Sequence, residues 1–178
     1  MRITRIPRER VGALIGPDGK TRKYIEKRSG VGLSIDSESG EVIIVDEKAD
    51  PLMGLKVDNV VRAIGRGFSP ERAFKLFNDD YYFIIFDIND YVSGKKDHVR
   101  RVKARIIGSE GKTRTIIEQM TGATLCIYGH TVCVIVDLNA MEVTKTAIDM
   151  LLSGSEHATV YKFLERKQME LKMARYGF

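Results

Sequence analysis

The 178-residue sequence has few of the residues that build covalent or metal-centred frameworks. It contains no tryptophan, two cysteines (Cys126 and Cys133) and three histidines, of which only His130 lies near the cysteines. Two cysteines cannot form a disulfide framework or a four-cysteine zinc site, so we expect no metal and no cofactor. Long apolar runs are also missing: the longest strongly apolar stretch, Tyr81–Phe86, has six residues, against roughly 20 in a membrane-spanning helix.

The N-terminus has no recognisable targeting segment. Its opening residues, MRITRIPRER, lack the apolar core of a signal peptide, and we therefore expect a cytoplasmic protein. Hydrophobic residues make up 43% and charged residues 30% of the chain, which is typical of globular proteins and excludes wholesale disorder. The length allows one ordinary domain or two small ones.

The basic residues are concentrated in two segments. Residues 1–30 carry nine basic and three acidic side chains, residues 95–114 carry eight basic and two acidic ones, and residues 31–94 sum to −6. The whole chain has a formal charge of +5. A charge run is often only a solvated surface, but two matched basic segments on an acidic body indicate an anionic partner.

An internal repeat places the two basic segments at equivalent positions. Residues 15–35, IGPDGKTRKYIEKRSGVGLSI, align without a gap on residues 107–127, IGSEGKTRTIIEQMTGATLCI, and 11 of the 21 positions are identical. The offset of 92 residues is too long for a solenoid, whose repeats have about 20–50 residues. We therefore predict two small domains, residues 1–78 and 79–153, followed by a tail of residues 154–178.

Hydrophobic periodicity predicts the order β-α-α-β-β-α in each copy, and hence an α+β fold. The elements of the first copy are a strand at Arg2–Ile6, a helix before Gly16, a helix from Lys20 to about Arg28, strands at Val31–Ile35 and Val42–Val45, and a helix ending at Gly65. Those of the second copy are a strand at Phe83–Ile88, helices at His98–Ile107 and Lys112–Met120, strands at Leu125–Tyr128 and Val132–Val136, and a helix at Met141–Leu152. The β-branched run at Val42–Val45 is typical of a central strand.

Some side chains in and between these elements have predictable positions. In the second helix of the first copy, Tyr24 and Ile25 are expected to be buried. A short connecting helix begins at Ser69-Pro70, with Ser69 as its N-cap. The tail predicts a further helix from Glu156 to about Tyr176, which docks on the body through apolar side chains at Val160, Phe163, Leu164, Leu171 and Ala174.

The break between the first two helices of each copy has the pattern Gly-x-x-Gly. One glycine pair often only ends a helix, but here Gly16-Pro17-Asp18-Gly19 recurs as Gly108-Ser109-Glu110-Gly111. Glycines let a phosphate chain approach the loop and permit positive φ. The next helix begins at once, so its unpaired N–H groups and positive dipole end face that chain. Each loop is followed by Lys-Thr-Arg, which adds positive charge, and the pattern therefore favours a sugar–phosphate ligand.

The Gly-Lys-Thr triplets do not form a nucleotide-binding P-loop. That motif, G-x-x-x-x-G-K-[ST], needs a first glycine where this chain has Leu14 and Ile106, and its loop follows a strand rather than a helix. Neither paired catalytic carboxylates nor a Ser/His/Asp arrangement stands out along the sequence. We therefore expect that the protein is not an enzyme.

The two loops and their surroundings resemble those of KH domains. Val11–Gly19 resembles the KH signature, Arg105–Gly111 resembles a second copy of it, and the element order is similar to that of the type I KH fold. The resemblance covers most of residues 1–153. It implies two tandem type I KH domains that bind short single-stranded RNA or DNA, each holding about four nucleotides.

The arrangement of the two modules resembles one KH family more closely. Gly154-Ser155 followed by Val160-Tyr161, after a Gly-x-x-Gly-Lys-Thr loop, is similar to the ribosome-assembly family called partner of Nob one, or Dim-two, in its short archaeal form. The resemblance implies binding to the 3′ region of small-subunit rRNA during ribosome assembly and pre-rRNA processing. It also implies cooperation with the Nob-one endonuclease on pre-small-subunit particles. We expect a monomer.

The resemblance assigns RNA contacts to two sets of residues. In the second module they are Lys103, Arg105, Ile106, Ile107, Gly108, Ser109, Glu110, Gly111, Lys112, Thr113 and Arg114. In the first module they are Gly16, Pro17, Asp18, Gly19, Lys20 and Arg22. KH loops often carry a basic residue between the glycines, whereas these loops carry carboxylates, and Pro17 removes an N–H group.

The second module is predicted to be the principal RNA site. Its loop is preceded by the basic residues Lys95, Lys96, Arg100, Arg101, Lys103 and Arg105. The first module assists or serves a protein partner. Two alternatives stay open: a KH-fold scaffold without direct RNA binding, to which the acidic loop residues point, and another KH RNA factor acting in RNA degradation or transcription.

Overall fold

The computed structural model describes residues 1–177, and the chain divides into two compact units. The first unit, Met1–Asp79, contains β1 (Arg2–Arg5), α1 (Arg8–Ile15), α2 (Lys20–Ser29), β2 (Gly32–Ile35), β3 (Glu41–Val45), α3 (Pro51–Gly65) and α4 (Pro70–Ala73). The second unit begins at Asp80 and contains β4 (Tyr81–Asp87), α5 (Lys96–Ile107), α6 (Lys112–Thr121), β5 (Thr124–Tyr128), β6 (Thr131–Asp137), α7 (Met141–Leu152) and α8 (His157–Tyr176). The predicted order β-α-α-β-β-α is confirmed in both.

Each unit contains a three-stranded antiparallel sheet whose last strand in sequence lies in the middle. The strand orders are β1-β3-β2 and β4-β6-β5. In the first sheet Ile3 pairs with Ile43, and Leu33 pairs with Ile44. The prediction that Val42–Val45 forms a central strand is confirmed. In the second sheet the central strand β6 is buried at every position from Thr131 to Val136, so its side chains are shielded from solvent on both faces of the sheet.

The core of each unit lies between the sheet and its helices. Leu14 and Ile25 are fully buried in the first unit, and the residues at the same repeat positions, Ile106 and Ile117, are fully buried in the second. The shared periodicity of the two copies therefore produces the same contacts between helix and sheet. The remaining fully buried large side chains include Ile44, Ile64, Phe68, Ile88, Leu125, Ile135, Ile148 and Leu151.

Two predictions of burial are wrong. Tyr24 is 47% exposed, because α2 buries only the side that carries Ile25 and Ser29. The Tyr24 ring instead lies against Phe74, with the ring centroids 4.4 Å apart. In the tail, α8 buries Val160, Leu164 and Leu171 and half-buries Phe163, but Ala174 is exposed because it lies in the last turn, beyond the last buried residue.

The same polar side chains join helix to strand in both units. The Glu26 Oε1 atom accepts the backbone N–H of Leu33 at 2.9 Å, and Glu118 Oε1 accepts that of Leu125 at 2.9 Å. Each of these helices ends at a glycine in the left-handed region, Gly30 or Gly122, which is a common C-terminal cap. These contacts fix where each edge strand begins relative to the helix that follows the Gly-x-x-Gly loop.

Among residues 1–177, no helix is both long enough and apolar enough to span a bilayer.

Truncating a core side chain tests this packing. We expect Ile117→Ala to lower the free energy of unfolding by about 2–5 kcal/mol, because Ile117 is fully buried and the substitution leaves a cavity. Ile3→Ala, at a residue that is 60% exposed in β1, should change it by less than about 0.5 kcal/mol. Urea denaturation followed by circular dichroism measures both values, and equal losses would contradict the assigned core.

Candidate nucleic-acid interface

The two Gly-x-x-Gly loops have the same backbone conformation. Gly16, Asp18 and Gly19 have φ of 74°, 55° and 71°, and the corresponding residues Gly108, Glu110 and Gly111 have φ of 76°, 55° and 74°. Each loop, Gly16–Gly19 or Gly108–Gly111, is a single turn whose third residue has a left-handed rather than a helical conformation. It is closed by a 3.1 Å hydrogen bond from the N–H of the second glycine to the carbonyl of the first. The predicted break between the helices is therefore a tight turn.

The first glycine of each loop is required by a close approach as well as by its φ. A Cβ on Gly108 would lie 2.7 Å from the backbone nitrogen of Thr113, and one on Gly16 would lie 2.8 Å from that of Thr21. By contrast, a Cβ on Gly111 would meet no atom within 4 Å. The missing side chain of the first glycine lets the start of the next helix pack directly against the loop.

The helices that follow the loops begin without a side-chain cap. Their N-caps are Gly19 and Gly111, which cannot supply a capping oxygen. By comparison, α3 is capped by the side chain of Asp50, and α4 by that of Ser69. The first N–H groups of an uncapped α-helix have no partner within the helix, and they carry its positive dipole end. This arrangement is suited to an anion such as a phosphate.

Basic side chains stand beside both uncapped ends. Arg22 Nε lies 3.4 Å from Glu26 Oε1, and Arg114 Nε lies 3.4 Å from Glu118 Oε1, so each arginine is oriented along its helix. Lys20 and Lys112 are exposed, and neither forms an ion pair within the described part of the chain. These two lysines are the cations most available to a ligand at the loop.

The two carboxylates inside the loops are also exposed. Asp18 and Glu110 adopt the left-handed conformation, which costs a residue with a side chain roughly 1–2 kcal/mol, although Asp tolerates it better. Neither carboxylate is ion-paired in residues 1–177. The departure from a basic loop noted in the sequence is therefore not neutralised by a neighbouring cation.

Three of the predicted contact residues point inward. Ile106 is fully buried and Thr113 is 2% exposed. The Arg105 guanidinium donates to the Leu151 carbonyl at 3.1 Å and to the carbonyl of Ser155. At these positions the side chains support the loop from behind, whereas Lys103, Ser109 and Lys112 are accessible or partly accessible at the surface.

A basic cavity opens on the same helix that leads into the second loop. It has a volume of about 520 Å³ and is lined by Lys96, Val99, Arg100 and Lys103 of α5, and by Asn89, Gly94, Gly129 and His130 opposite. The three cations are spaced four and three residues apart, so they share one face of α5. None of them is ion-paired among the described residues. His130 Nδ1 lies 2.9 Å from Asp87 Oδ1, which orients the ring at the cavity wall.

Only part of this cavity is evident in the sequence. The KH resemblance assigns Lys103 to the RNA site, and the charge pattern places Lys96 and Arg100 in the basic segment before the loop. Sequence reasoning misses Asn89 and His130, because they come from chain segments on either side of α5 and carry no local signal. The spacing of the cations along α5 is the one pattern that indicates a shared face.

The first unit differs in charge at the corresponding turn between its second and third strands. There Asp36 accepts hydrogen bonds from Ser39 Oγ at 2.6 Å and from the Glu38 N–H at 2.9 Å. These bonds, led by that from Ser39, hold the pKa of Asp36 below its usual 3.8. Residues 36–40 include two acidic and no basic side chains, so the turn is negatively charged. Of the basic residues on α1, Arg10 is occupied by the carbonyls of Ile64 and Phe68.

No three His, Cys, Asp or Glu side chains of residues 1–177 are grouped so that they could hold a metal ion.

Both units of the chain match known families in sequence. A family model for the eukaryotic-type KH domain (KH domain type I) matches residues 82–169, and one for the KH domain matches residues 1–66. The KH domain-containing protein MJ0443 of Methanocaldococcus jannaschii is 46% identical over 175 residues, which are 98% of this chain and 77% of that protein. The pre-rRNA-processing protein pno1 of Schizosaccharomyces pombe is 28% identical over 141 residues, or 78% of this chain, and the match spans 58% of its length.

A solved structure is similar to this chain in fold as well as in sequence. A chain in the crystal structure of the a/eIF2alpha–aDim2p–rRNA complex from Pyrococcus horikoshii OT3 is 45% identical, with a TM-score of 0.87, and the match covers 95% of this chain and 94% of that one. The fold and the two loops thus define a protein with two type I KH domains. The chain belongs to the KH-domain family that includes archaeal Dim2 and eukaryotic PNO1.

The two glycines of the second loop should respond differently to the same substitution. We expect Gly111→Ala to lower the free energy of unfolding by about 1 kcal/mol, because only its positive φ is strained. Gly108→Ala should lower it by more than about 2 kcal/mol, because φ of 76° with ψ of 171° is a conformation almost confined to glycine and a Cβ would also displace Thr113. Thermal and urea unfolding measure the difference; equal losses would contradict the close approach at Gly108.

Proposed function

We propose that this protein binds single-stranded RNA, at the 3′ region of small-subunit rRNA, during ribosome assembly and pre-rRNA processing. The observation that carries the proposal is that α5 joins two anion-binding features. Its cationic face lines the basic cavity, and its C-terminus leads into the Gly108–Gly111 loop and the uncapped start of α6. The family relatives support it, since one is a pre-rRNA-processing protein and another was crystallised with rRNA and a/eIF2alpha.

The loop is proposed to hold the sugar–phosphate backbone. A phosphate seated at Gly108–Gly111 would lie at the positive dipole end of α6, near the Lys112 ammonium group and the Arg114 guanidinium group. Glu118 orients Arg114 from behind. The following nucleotides would lie along α5 toward Lys103, Arg100 and the cavity.

Base recognition is proposed for the cavity rather than for the loop. Asn89 offers amide donors and acceptors at the wall. His130 has one ring nitrogen engaged by Asp87, which leaves Nε2 available for a base edge. Unstacked bases of single-stranded RNA are read by contacts of this kind, whereas the narrow major groove of duplex RNA is not accessible to side chains. We therefore propose selectivity for single strands.

We propose unequal roles for the two modules. The second module, residues 79–153, supplies the principal site through Lys103, Ile107, Gly108, Ser109, Gly111, Lys112 and Arg114, supported from behind by Arg105, Ile106 and Thr113. The first module, residues 1–78, assists through Gly16, Gly19, Lys20 and Arg22. Its anionic turn at Asp36 and the Pro17 ring in its loop are the observations that favour the smaller role.

The proposed activity is binding, without a catalytic step of its own. As the family resemblance implies, we propose that it presents the rRNA 3′ region to the Nob-one endonuclease on pre-small-subunit particles. We propose further that it acts in the cytoplasm as a monomer. The alternative is a KH-fold scaffold that binds protein instead of RNA. The exposed, unneutralised carboxylates of Asp18 and Glu110 favour that alternative.

One pair of variants compares the two loops under matched conditions. Ser109→Asp with Glu110→Asp produces the sequence Gly-Asp-Asp-Gly in the second loop, and Pro17→Asp produces the same sequence in the first. We expect the second-loop variant to lose at least about tenfold in RNA affinity, because short carboxylates would lie against the phosphates. The first-loop variant should lose less than about threefold.

Fluorescence anisotropy with a labelled RNA matching the small-subunit rRNA 3′ end measures these affinities, beside a scrambled strand and a duplex. Circular dichroism verifies that both variants are folded. Unchanged affinity in the second-loop variant would contradict the assignment of the principal site. If the unmodified protein binds none of the strands at low salt, the scaffold alternative replaces the proposal.

Removing charge from the cavity tests its share in binding. Arg100→Ala with Lys103→Ala should weaken RNA binding and flatten its salt dependence, by roughly 0.7 in the log–log slope for each phosphate that the protein no longer neutralises. Lys48→Ala with Lys145→Ala removes the same charge from exposed positions elsewhere and should leave the slope unchanged. Anisotropy titrations at several salt concentrations measure the slope. Equal slopes for the two double variants would mean that the cavity does not contact phosphate.

A further inference from the structure

The C-terminal helix α8 contacts the backbone or side chains on both sides of the second Gly-x-x-Gly loop. We propose that α8 positions this loop, with Tyr161 and His157 as the positioning residues, so that the loop is ordered before RNA binds. Within residues 1–79 no such hydrogen bond reaches Thr21 beside the first loop, although Arg10 joins α1 to the carbonyls of Ile64 and Phe68. The RNA-binding half of this inference rests on the proposed function, but the ordering of the loop can be measured without RNA.

Tyr161 supports the side of the loop that leads into α6. Its hydroxyl lies 2.8 Å from Thr113 Oγ1, and the Thr113 side chain is almost fully buried. Thr113 in turn lies against the first glycine, since a Cβ on Gly108 would be 2.7 Å from the Thr113 nitrogen. Tyr161 of α8 thus forms a hydrogen bond with a residue that itself packs against the loop backbone.

His157 supports the side of the loop that follows α5. Its Nε2 atom lies 2.8 Å from the Arg105 carbonyl oxygen, and a carbonyl can only accept, so Nε2 carries the donated proton. The Arg105 guanidinium donates in turn to the carbonyl of Leu151, near the end of α7, and to that of Ser155, just before α8. Arg105 lies three residues before Gly108, in the last turn of α5.

The two supporting side chains act from a single turn of α8. His157 and Tyr161 are four residues apart, and their rings are stacked with the centroids 6.2 Å apart. Val160, which lies between them in the sequence, is fully buried, and Leu164 is buried on the same face of α8. At the other end of α8, Arg175 donates to the Thr121 carbonyl and, at 2.8 Å, to Asp137 Oδ2. Both ends of the helix are therefore fixed to the second unit.

The first module provides an internal comparison. Its loop has the same φ values and the same pair of hydrogen bonds, from Gly16 to Gly12 and from Gly19 to Gly16. However, Ala13 stands at the position of Arg105, and Thr21 is only half-buried. Within residues 1–79 the helical segment after α3 is shorter than α8: α4 continues as a 3₁₀ turn, Phe74–Phe77. It meets α2 through the Tyr24 and Phe74 rings, and no hydrogen bond joins it to Thr21. The two loops thus differ in their support and not in their backbone.

A supported loop should bind a strand more tightly than an unsupported one. Ordering a flexible segment on binding reduces affinity, and a segment that is already ordered avoids that loss. This gives a physical reason for the second module to be the principal site, independent of its larger positive charge.

Hydrogen exchange of loop amides in the RNA-free protein tests the support directly. The Gly111 amide should exchange more slowly than the Gly19 amide of the full-length protein, although both make a 3.1 Å hydrogen bond to the first glycine of their loop. Tyr161→Phe removes one hydroxyl and should speed exchange at Gly108 and Gly111 by roughly 2- to 10-fold, as for the loss of one hydrogen bond. Gly16 and Gly19 should not change.

Matched variants separate support of the loop from general stability. Tyr176→Phe removes an exposed hydroxyl near the end of the same helix and should leave all four amides unchanged. Thr113→Ser keeps the hydroxyl and should retain the slow exchange, whereas Thr113→Val should resemble Tyr161→Phe. The double variant Tyr161→Phe with Thr113→Val should be no faster than the faster single variant, because both remove the same contact.

RNA affinity supplies the second measurement. Tyr161→Phe should weaken binding of the rRNA 3′ strand by roughly 2- to 10-fold with an unchanged salt slope, because no charge is removed. Unchanged exchange at Gly108 and Gly111 would overturn the support of the loop. Faster exchange with unchanged affinity would overturn its role in binding. If the unmodified protein binds no RNA, the proposed function fails while the exchange result still decides whether α8 orders the loop.

Discussion

The close approach of Gly108 to Thr113, and of Gly16 to Thr21, is the constraint on which the rest of each module depends. A turn with φ near 74° at the first glycine brings the next helix against the loop without an intervening Cβ. The second glycine then starts that helix with no side-chain cap. One backbone arrangement therefore produces both the reversal between two core helices and a helix start at the surface whose positive dipole end has no side-chain cap.

The framework behind the loops is duplicated, and the surface is not. Glu26 and Glu118 make the same pair of contacts, to an arginine in the helix and to the N–H that begins an edge strand. These contacts are internal to each module and are present in both copies. The groups that a ligand would meet have diverged: the second unit has a basic cavity on α5, whereas the first has an anionic turn at Asp36. The same fold thus has one surface suited to a polyanion and one less suited to it.

The C-terminal tail adds to the difference between the two modules. Arg105 is basic and lies in the KH-like signature, as expected of an RNA-binding residue. Its guanidinium, however, donates hydrogen bonds to the carbonyls of Leu151 and Ser155. Its charge therefore contributes to the potential of the surface, while its hydrogen bonds join α5 to the beginning of α8. A basic residue beside a recognition loop can have a structural task, and the count of cations in a segment overstates how many are available to a ligand.

The sequence by itself determined the repeat, the order of elements, the position of both loops, the central strand at Val42–Val45 and the burial of Ile25. These features follow from local periodicity and from glycine chemistry, which act over a few residues. Tertiary structure alone decided that Tyr24 is exposed, that Arg105 points inward, and that Tyr161 reaches Thr113 from 48 positions away. It also brought Asn89 and His130 to the cavity on α5. The reason is that periodicity assigns a side chain to one side of a helix, whereas its burial and its partners depend on which distant segment packs there.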